Sequence, residues 1–239
     1  MSAPGWREAA LGLLLDRRCL GCCAPDGLVC AGCVALLRGP PATVAPRLPG
    51  MPPCWATTTY DGPLRPLLAA AKERGQMAVR RRVGEALGLA AGMALRTAAA
   101  RGSAARVVLV PVPSSAAAVR ARGDDVVLAL ARDAARLLRT AGDDVTALAA
   151  LRSSGPRRDQ VGLTTAERRA NVAATMRVRR RRLEAVRSAD VVVVVDDVVT
   201  SGATLAEAAA VLRSVGARVP VAAVVAATPR RFPHTRGRS

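Results

Sequence analysis

The stretch "DVVVVVDDVVTSGATLAEAAAVLRSVGA", Asp190 to Ala217, constrains the fold more than any other part of the chain. Five consecutive valines bounded by charge read as a strand buried on both faces, as a parallel sheet covered by helices requires. Asp196 and Asp197 then fall at the carboxyl end of that strand, and a Thr-, Ser- and Gly-containing loop leads into a helix bearing Leu205, Ala208, Ala209 and Leu212. In open α/β sheets that end of the strands is where ligands bind.

Other segments agree with such a sheet. "WATTTY" from Trp55, "RVVLVPVP" from Arg106, "NVAATMRV" from Asn171 and "VPVAAVVAAT" from Val219 read as strands. "DGPLRPLLAAAKERG" from Asp61, "VGEALGLAAGMALRTAAA" from Val83 and "DDVVLALARDAARLLRTA" from Asp124 have helical spacing. Strands alternating with helices predict βαβ units and a mainly parallel sheet. "GPPATVAPRLPGMPPC", Gly39 to Cys54, has too many prolines for a helix interior and reads as a linker. A chain of 239 residues suits one well-buried domain and a small appendage. The expected division is a head and linker over 1–54, a body over 55–228 and a basic tail over 229–239.

The formal charge is +18, and Lys72 is the one lysine; every other basic residue except His234 is arginine. Such a field favours polyanionic partners, although a biased genome producing Ala, Val and Arg gives the same composition. His234 lies in the tail "TPRRFPHTRGRS", which reads as disordered. With no other histidine, a Ser-His-Asp or Cys-His mechanism and a histidine-bearing zinc site are set aside. The apolar piece Ala9 to Leu15 is short, follows Glu8 and precedes Asp16, Arg17 and Arg18, unlike a signal peptide or a membrane span. The expectation is a cytoplasmic protein with reduced cysteines and no membrane insertion.

Four cysteines form two close pairs, Cys19-x2-Cys22 and Cys30-x2-Cys33. Each pair suits a tight turn offering two thiolates, and the short gap lets both turns converge on one tetrahedral zinc. Cys23 competes with Cys22 as a ligand because it is adjacent. Cys54 reads as a small core residue. A head this small would depend on its metal for folding.

Thr200, Ser201, Gly202, Ala203 and Thr204 combine hydroxyls, a glycine and a helix N-terminus into a cradle for an anion such as phosphate. Two carboxylates beside a phosphate would repel it unless they accept hydrogen bonds from sugar hydroxyls or lie near Mg²⁺. A ribose 5-phosphate meets both demands. The plainer reading makes Thr204 and Glu207 a helix capping box and leaves the aspartates merely ending a strand.

At these residues the chain resembles the phosphoribosyl pyrophosphate motif of type I phosphoribosyltransferases. The two Cys pairs, "YDGPLRPLLAAAKERG", "VPVPSS" followed by Arg120-x-Arg122-Gly123, and "DQVGLTTAERRANV" further resemble, in order, the ComF family linked to natural transformation. The resemblance implies an α/β body with the parallel-sheet type I phosphoribosyltransferase-like fold and a small N-terminal zinc-ribbon-like module on Cys19, Cys22, Cys30 and Cys33. It implies that Asp196 and Asp197 hold ribose hydroxyls, that Thr200 to Thr204 hold the 5-phosphate and that Mg²⁺ accompanies the ligand. The loop Ser114 to Gly123 would lie on the pyrophosphate side, with Ser114, Arg120, Arg122 and Lys72 as candidates; the arginines also suit a solvated patch, and Lys72 a helix end. Arg158, Gln160, Arg168 and Asn171 match the family segment without an assigned role.

One departure concerns Asp124 and Asp125, which stand where many relatives have Phe-Asn. An aromatic there would stack on a base, whereas two acids would repel a phosphate backbone. Three functions follow. The first is a protein binding phosphoribosyl pyrophosphate or a nucleotide and handling single-stranded DNA with DNA-uptake proteins; the second is an active phosphoribosyltransferase; the third is a regulator sensing phosphoribosyl pyrophosphate.

Overall fold

The computed structural model describes residues 18–45, 48–73, 75–98, 105–114, 119–120, 123–153 and 176–229. Arg122, Arg158, Gln160, Arg168, Asn171, His234, the apolar piece Ala9 to Leu15 and all of the tail from Arg230 lie outside the described residues. Among the described residues, no helix is long and apolar enough to cross a membrane.

Eight strands are present among the described residues: β1 (Ala42–Thr43), β2 (Cys54–Thr59), β3 (Val107–Pro111), β4 (Val145–Ala147), β5 (Leu151–Ser153), β6 (Met176–Val178), β7 (Val191–Val199) and β8 (Val221–Ala227). The helices are α1 (Ala31–Leu37), α2 (Leu64–Ala71), α3 (Met77–Thr97), α4 (Val126–Thr140), α5 (Leu183–Arg187) and α6 (Ala203–Ser214). Six strands form one sheet in the order β1-β2-β8-β7-β3-β4, and β5 and β6 form a separate antiparallel pair. Every pairing in the large sheet is parallel except that of β1 on the edge. The fold is thus the α/β, mostly parallel sheet anticipated above.

The valine run of β7 is buried on both faces for the reason its composition implies. Val191, Val193 and Val195 join the core beneath α2, α3 and α4, while Val192 and Val194 join the core beneath α6. Consecutive side chains of a strand point to opposite faces, so one strand feeds both cores. The strand does not stop at the acid pair, as the sequence reading had it; it runs on through Asp196 and Asp197 to Val199. Val198 and Val199 continue the pairing with Ala226 and Ala227 of β8.

On one face α3 lies against α4 at close range. A Cβ on Gly84 would stand 2.5 Å from Asp133 Cβ, and one on Gly88 would stand 2.9 Å from Leu137 Cδ2. Three glycines four residues apart, Gly84, Gly88 and Gly92, therefore remove the side chains that would hold the helices apart.

The proline-rich stretch is more than a spacer. Ala42 and Thr43 pair with Ala56 and Trp55, the Arg213 guanidinium donates to Gly50 O at 3.3 Å, and Met51 is buried beside the core on the α6 face. On the opposite face, Cys19, Cys30, Cys33 and Leu37 pack into the same apolar cluster as Leu64, Leu67 and Leu68 of α2. The ends of the N-terminal block thus reach both faces of the sheet.

Candidate functional site

Four cysteine sulfurs converge. The Sγ atoms of Cys19, Cys22, Cys30 and Cys33 all lie within 4.8 Å of one another, with Cys19 to Cys33 at 3.5 Å and Cys22 to Cys30 at 3.4 Å. Tetrahedral zinc with Zn–S bonds of about 2.3 Å needs sulfurs about 3.8 Å apart, so this donor set fits a zinc ion. The first pair sits on a turn, as expected, whereas the second opens a helix: Cys30 is the N-cap of α1 and its sulfur accepts from Cys33 N–H. Gly21 and Cys30 N–H groups both point at Cys19 Sγ, each at 3.4 Å. Burial opposes ionisation of Cys19, but these N–H donors outweigh it and bring the thiol down to about 6. Burial pushes the Cys33 thiol up instead, reinforced by the neighbouring sulfurs.

The ambiguity between Cys22 and Cys23 resolves through the backbone. Cys23 adopts φ 64, a left-handed conformation, and only Cys22 belongs to the sulfur cluster. Cys54 is a core residue, 1% exposed, whose thiol burial pushes up to about 12, with the charge of Asp196 adding to the effect.

The second feature lies at the carboxyl end of β7. Asp196 Oδ1 accepts from Asp197 N–H at 2.8 Å, and Asp197 Oδ1 accepts from Val198 N–H at 2.7 Å. Asp197 Oδ2 lies 2.5 Å from Lys72 Nζ, at the C-terminal end of α2. Asp196 keeps part of its surface exposed, yet its carboxyl lies low among protein atoms. Desolvation therefore raises its pKa well above the usual carboxylate range, and the charge of Asp197 raises it further.

Next in the chain, Thr200, Ser201 and Thr204 are exposed and Gly202 is buried. The capping-box alternative is not realised. The N-cap of α6 is Gly202, with φ 84 and no side chain to offer, so the helix starts ahead of Thr204. Ser201 Oγ accepts from Ala203 N–H at 3.3 Å, and the exposed residues Thr200 and Thr204 flank, in sequence, a helix start whose N-cap residue offers no side chain. Gly202 itself is pressed by the Met51 sulfur, so the glycine answers to a protein neighbour as well as to its backbone angle.

The described pyrophosphate-side candidates, Ser114, Arg120 and Lys72, are not gathered into one place. Ser114 and Arg120 line a groove of about 440 Å³ together with Asp125, Arg152 and Arg179, whereas Lys72 lines a separate cavity of about 340 Å³ with Glu73, Arg80 and Asp124. The sequence reading missed Arg152 and Arg179; nothing separated them from the other arginines until β5 and β6 brought them beside Ser114. The acids at 124 and 125 are both engaged inside the protein. Asp124 pairs with Arg80 at 2.6 Å, and Asp125 caps α4 while accepting from Ser114 Oγ at 3.0 Å. The repulsion expected of a bare acid pair is therefore partly cancelled at Asp124.

A family model described as "Phosphoribosyl transferase domain" matches residues 106–236, more than half of the chain. No curated protein matches the chain.

Proposed function

Because this chain belongs to the phosphoribosyl transferase domain family, we propose that it binds a 5-phosphoribosyl ligand at the carboxyl end of β7: phosphoribosyl pyrophosphate or a related nucleotide. The observation that carries the proposal is the β7–α6 junction, where two carboxylates precede a helix whose N-cap is a glycine of positive φ. Asp196 and Asp197 accept the ribose hydroxyls, and Thr200, Ser201, Gly202, Ala203 and Thr204 surround the 5-phosphate. Ser114 and Arg120, with Arg122, serve the pyrophosphate side, where planar guanidinium groups match phosphate oxygens. Mg²⁺ enters with the ligand and offsets the charge of its phosphates.

The head over 1–54 carries one structural zinc on Cys19, Cys22, Cys30 and Cys33, the body spans 55–228, and the basic tail follows. The cysteine spacing, "YDGPLRPLLAAAKERG" and "DQVGLTTAERRANV" support the narrower assignment to the ComF family, and with it a cytoplasmic role in single-stranded DNA handling during uptake. The charge of +18 and the exposed Arg177, Arg180, Arg181 and Arg182 beside Arg179 of the groove favour a polyanion there.

The other reading is transferase chemistry, in which the ribose C1–O bond to pyrophosphate breaks and C1 bonds to an acceptor nucleophile. Against a purine or pyrimidine acceptor stands the aromatic inventory: among the described residues it is Trp55 and Tyr60, both packed against the core. Calorimetry of the pure protein with phosphoribosyl pyrophosphate and Mg²⁺ tests the ligand. Pyrophosphate release across a panel of bases, with and without single-stranded DNA, separates the two readings. Absence of any phosphoribosyl binding would remove both.

A further inference from the structure

Lys72 stands apart from the other basic residues of the chain. Among 36 lysines and arginines it is the one lysine, and it sits at the one place where an ammonium touches the acid pair. Its ammonium is a compact, strongly hydrated charge with three donors, close in character to a small metal ion. The backbone of Lys72 is fixed as the C-cap of α2, its N–H donating to Ala69 O at 3.0 Å, and the negative end of that helix favours a cation. The side chain is freer, being 40% exposed against 15% for Asp197. It also borders the 340 Å³ cavity, whose other charged walls are Glu73, Arg80 and Asp124.

Both oxygens of Asp197 are occupied, Oδ1 by Val198 N–H and Oδ2 by Lys72. Two neighbouring carboxylates would otherwise attract a divalent cation from solution. A single positive charge at contact distance cancels one of them and fills the coordination position.

We propose that Lys72 is the resident cation of the acid pair, a positioning residue that holds Asp197 ready and keeps a divalent metal off the protein until the ligand arrives. When ribose hydroxyls take over the carboxylate, the ammonium is released toward the ligand's phosphates on the cavity side. Mg²⁺ then comes as part of the ligand and is not stored on the protein. The identity of the ligand rests on the phosphoribosyl reading above; the competition between lysine and metal does not.

The test uses Mn²⁺ as the probe, followed by electron paramagnetic resonance on the full chain without any sugar phosphate. Wild type and Lys72→Arg should leave the free-ion signal unchanged, Lys72→Gln should bind one Mn²⁺ per chain, and adding Asp196→Asn and Asp197→Asn to Lys72→Gln should abolish that binding. Lys72→Met replaces the glutamine variant if circular dichroism shows the latter unfolded. A neutral variant that takes up no more Mn²⁺ than wild type overturns the proposal, as does uptake that survives removal of both aspartates. In a second arm, ribose 5-phosphate is titrated in EDTA, where loss of the ammonium should weaken binding by about tenfold or more and added Mg²⁺ should recover it. Unchanged affinity in EDTA also overturns the proposal. If no protein binds ribose 5-phosphate while the Mn²⁺ pattern holds, the phosphoribosyl reading fails and the role of Lys72 as resident cation stands.

Discussion

Met51 lies directly over Gly202: a Cβ on that glycine would come far closer to the methionine sulfur than van der Waals contact allows. The contact joins the proline-rich N-terminal stretch to the loop proposed to hold phosphate, and it gives Gly202 two separate reasons to lack a side chain.

Gly202→Ala should therefore lose stability on two counts. A left-handed φ of 84 costs an L-residue roughly 1–2 kcal/mol, and displacing Met51 adds about 1 kcal/mol more. Met51→Ala in the same chain should recover the collision part and leave the backbone part. Urea unfolding of the four proteins measures this; an alanine variant as stable as wild type contradicts it.

Metal should depend on four cysteines and not on the other two. Cys22→Ala and Cys33→Ala should each lose zinc and lower the melting temperature, while Cys23→Ser and Cys54→Ala keep one zinc per chain. Elemental analysis of protein purified without chelator checks the stoichiometry.

Asp196 should weaken the fold at neutral pH. Its folded pKa is raised by desolvation, so its contribution is present below the unfolded value and is lost as pH rises through the raised folded value. Asp196→Asn should then be neutral or stabilising at pH 7, and the gain should vanish in acid. Denaturant melts at both pH values decide; a variant less stable than wild type at pH 7 goes against the argument.

The paired replacement of Asp196 and Asp197 by Asn should keep the fold and cut binding of phosphoribosyl pyrophosphate by about tenfold or more, because charge-assisted hydrogen bonds become neutral ones. Calorimetry with Mg²⁺ and circular dichroism of the same samples are the measurements. Undiminished binding would reduce the junction to an ordinary helix start.

Single-stranded DNA, if bound through arginine, should dissociate along a straight line of log affinity against log salt as counterions are released. Arg152→Ala with Arg179→Ala should flatten that slope by about one to two units, as each phosphate contact contributes a little under one. Filter binding from low to high salt gives both numbers, and an affinity indifferent to salt rules arginine out as the cause.

Legibility in the sequence followed the range of the interactions. β7 could be read because five valines leave little else for a twice-buried segment to do, and the order of carboxylates, hydroxyls and glycine is local. β1 could not: two residues among prolines gain their pairing only from Trp55 and Ala56, a dozen positions on. Asp124 looked bare because its partner Arg80 is 44 residues away. Thr204 and Glu207 had the spacing of a capping box, but the left-handed turn at Gly202 starts the helix ahead of them. Cys22 and Cys23 were equivalent on paper and became different only through the φ of 64 at Cys23.

The glycines at 84, 88 and 92 bear on how this chain can drift. Its composition leans toward alanine, and glycine becomes alanine through a single base change, so that exchange is among those most readily offered to the gene. At Gly84 and Gly88 the added methyl would meet Asp133 and Leu137 on the facing helix, and α3 could then no longer seat itself against α4. Along this line the exchange that base changes offer most readily is refused by the facing helix, not by the backbone angle that bars it at Gly202.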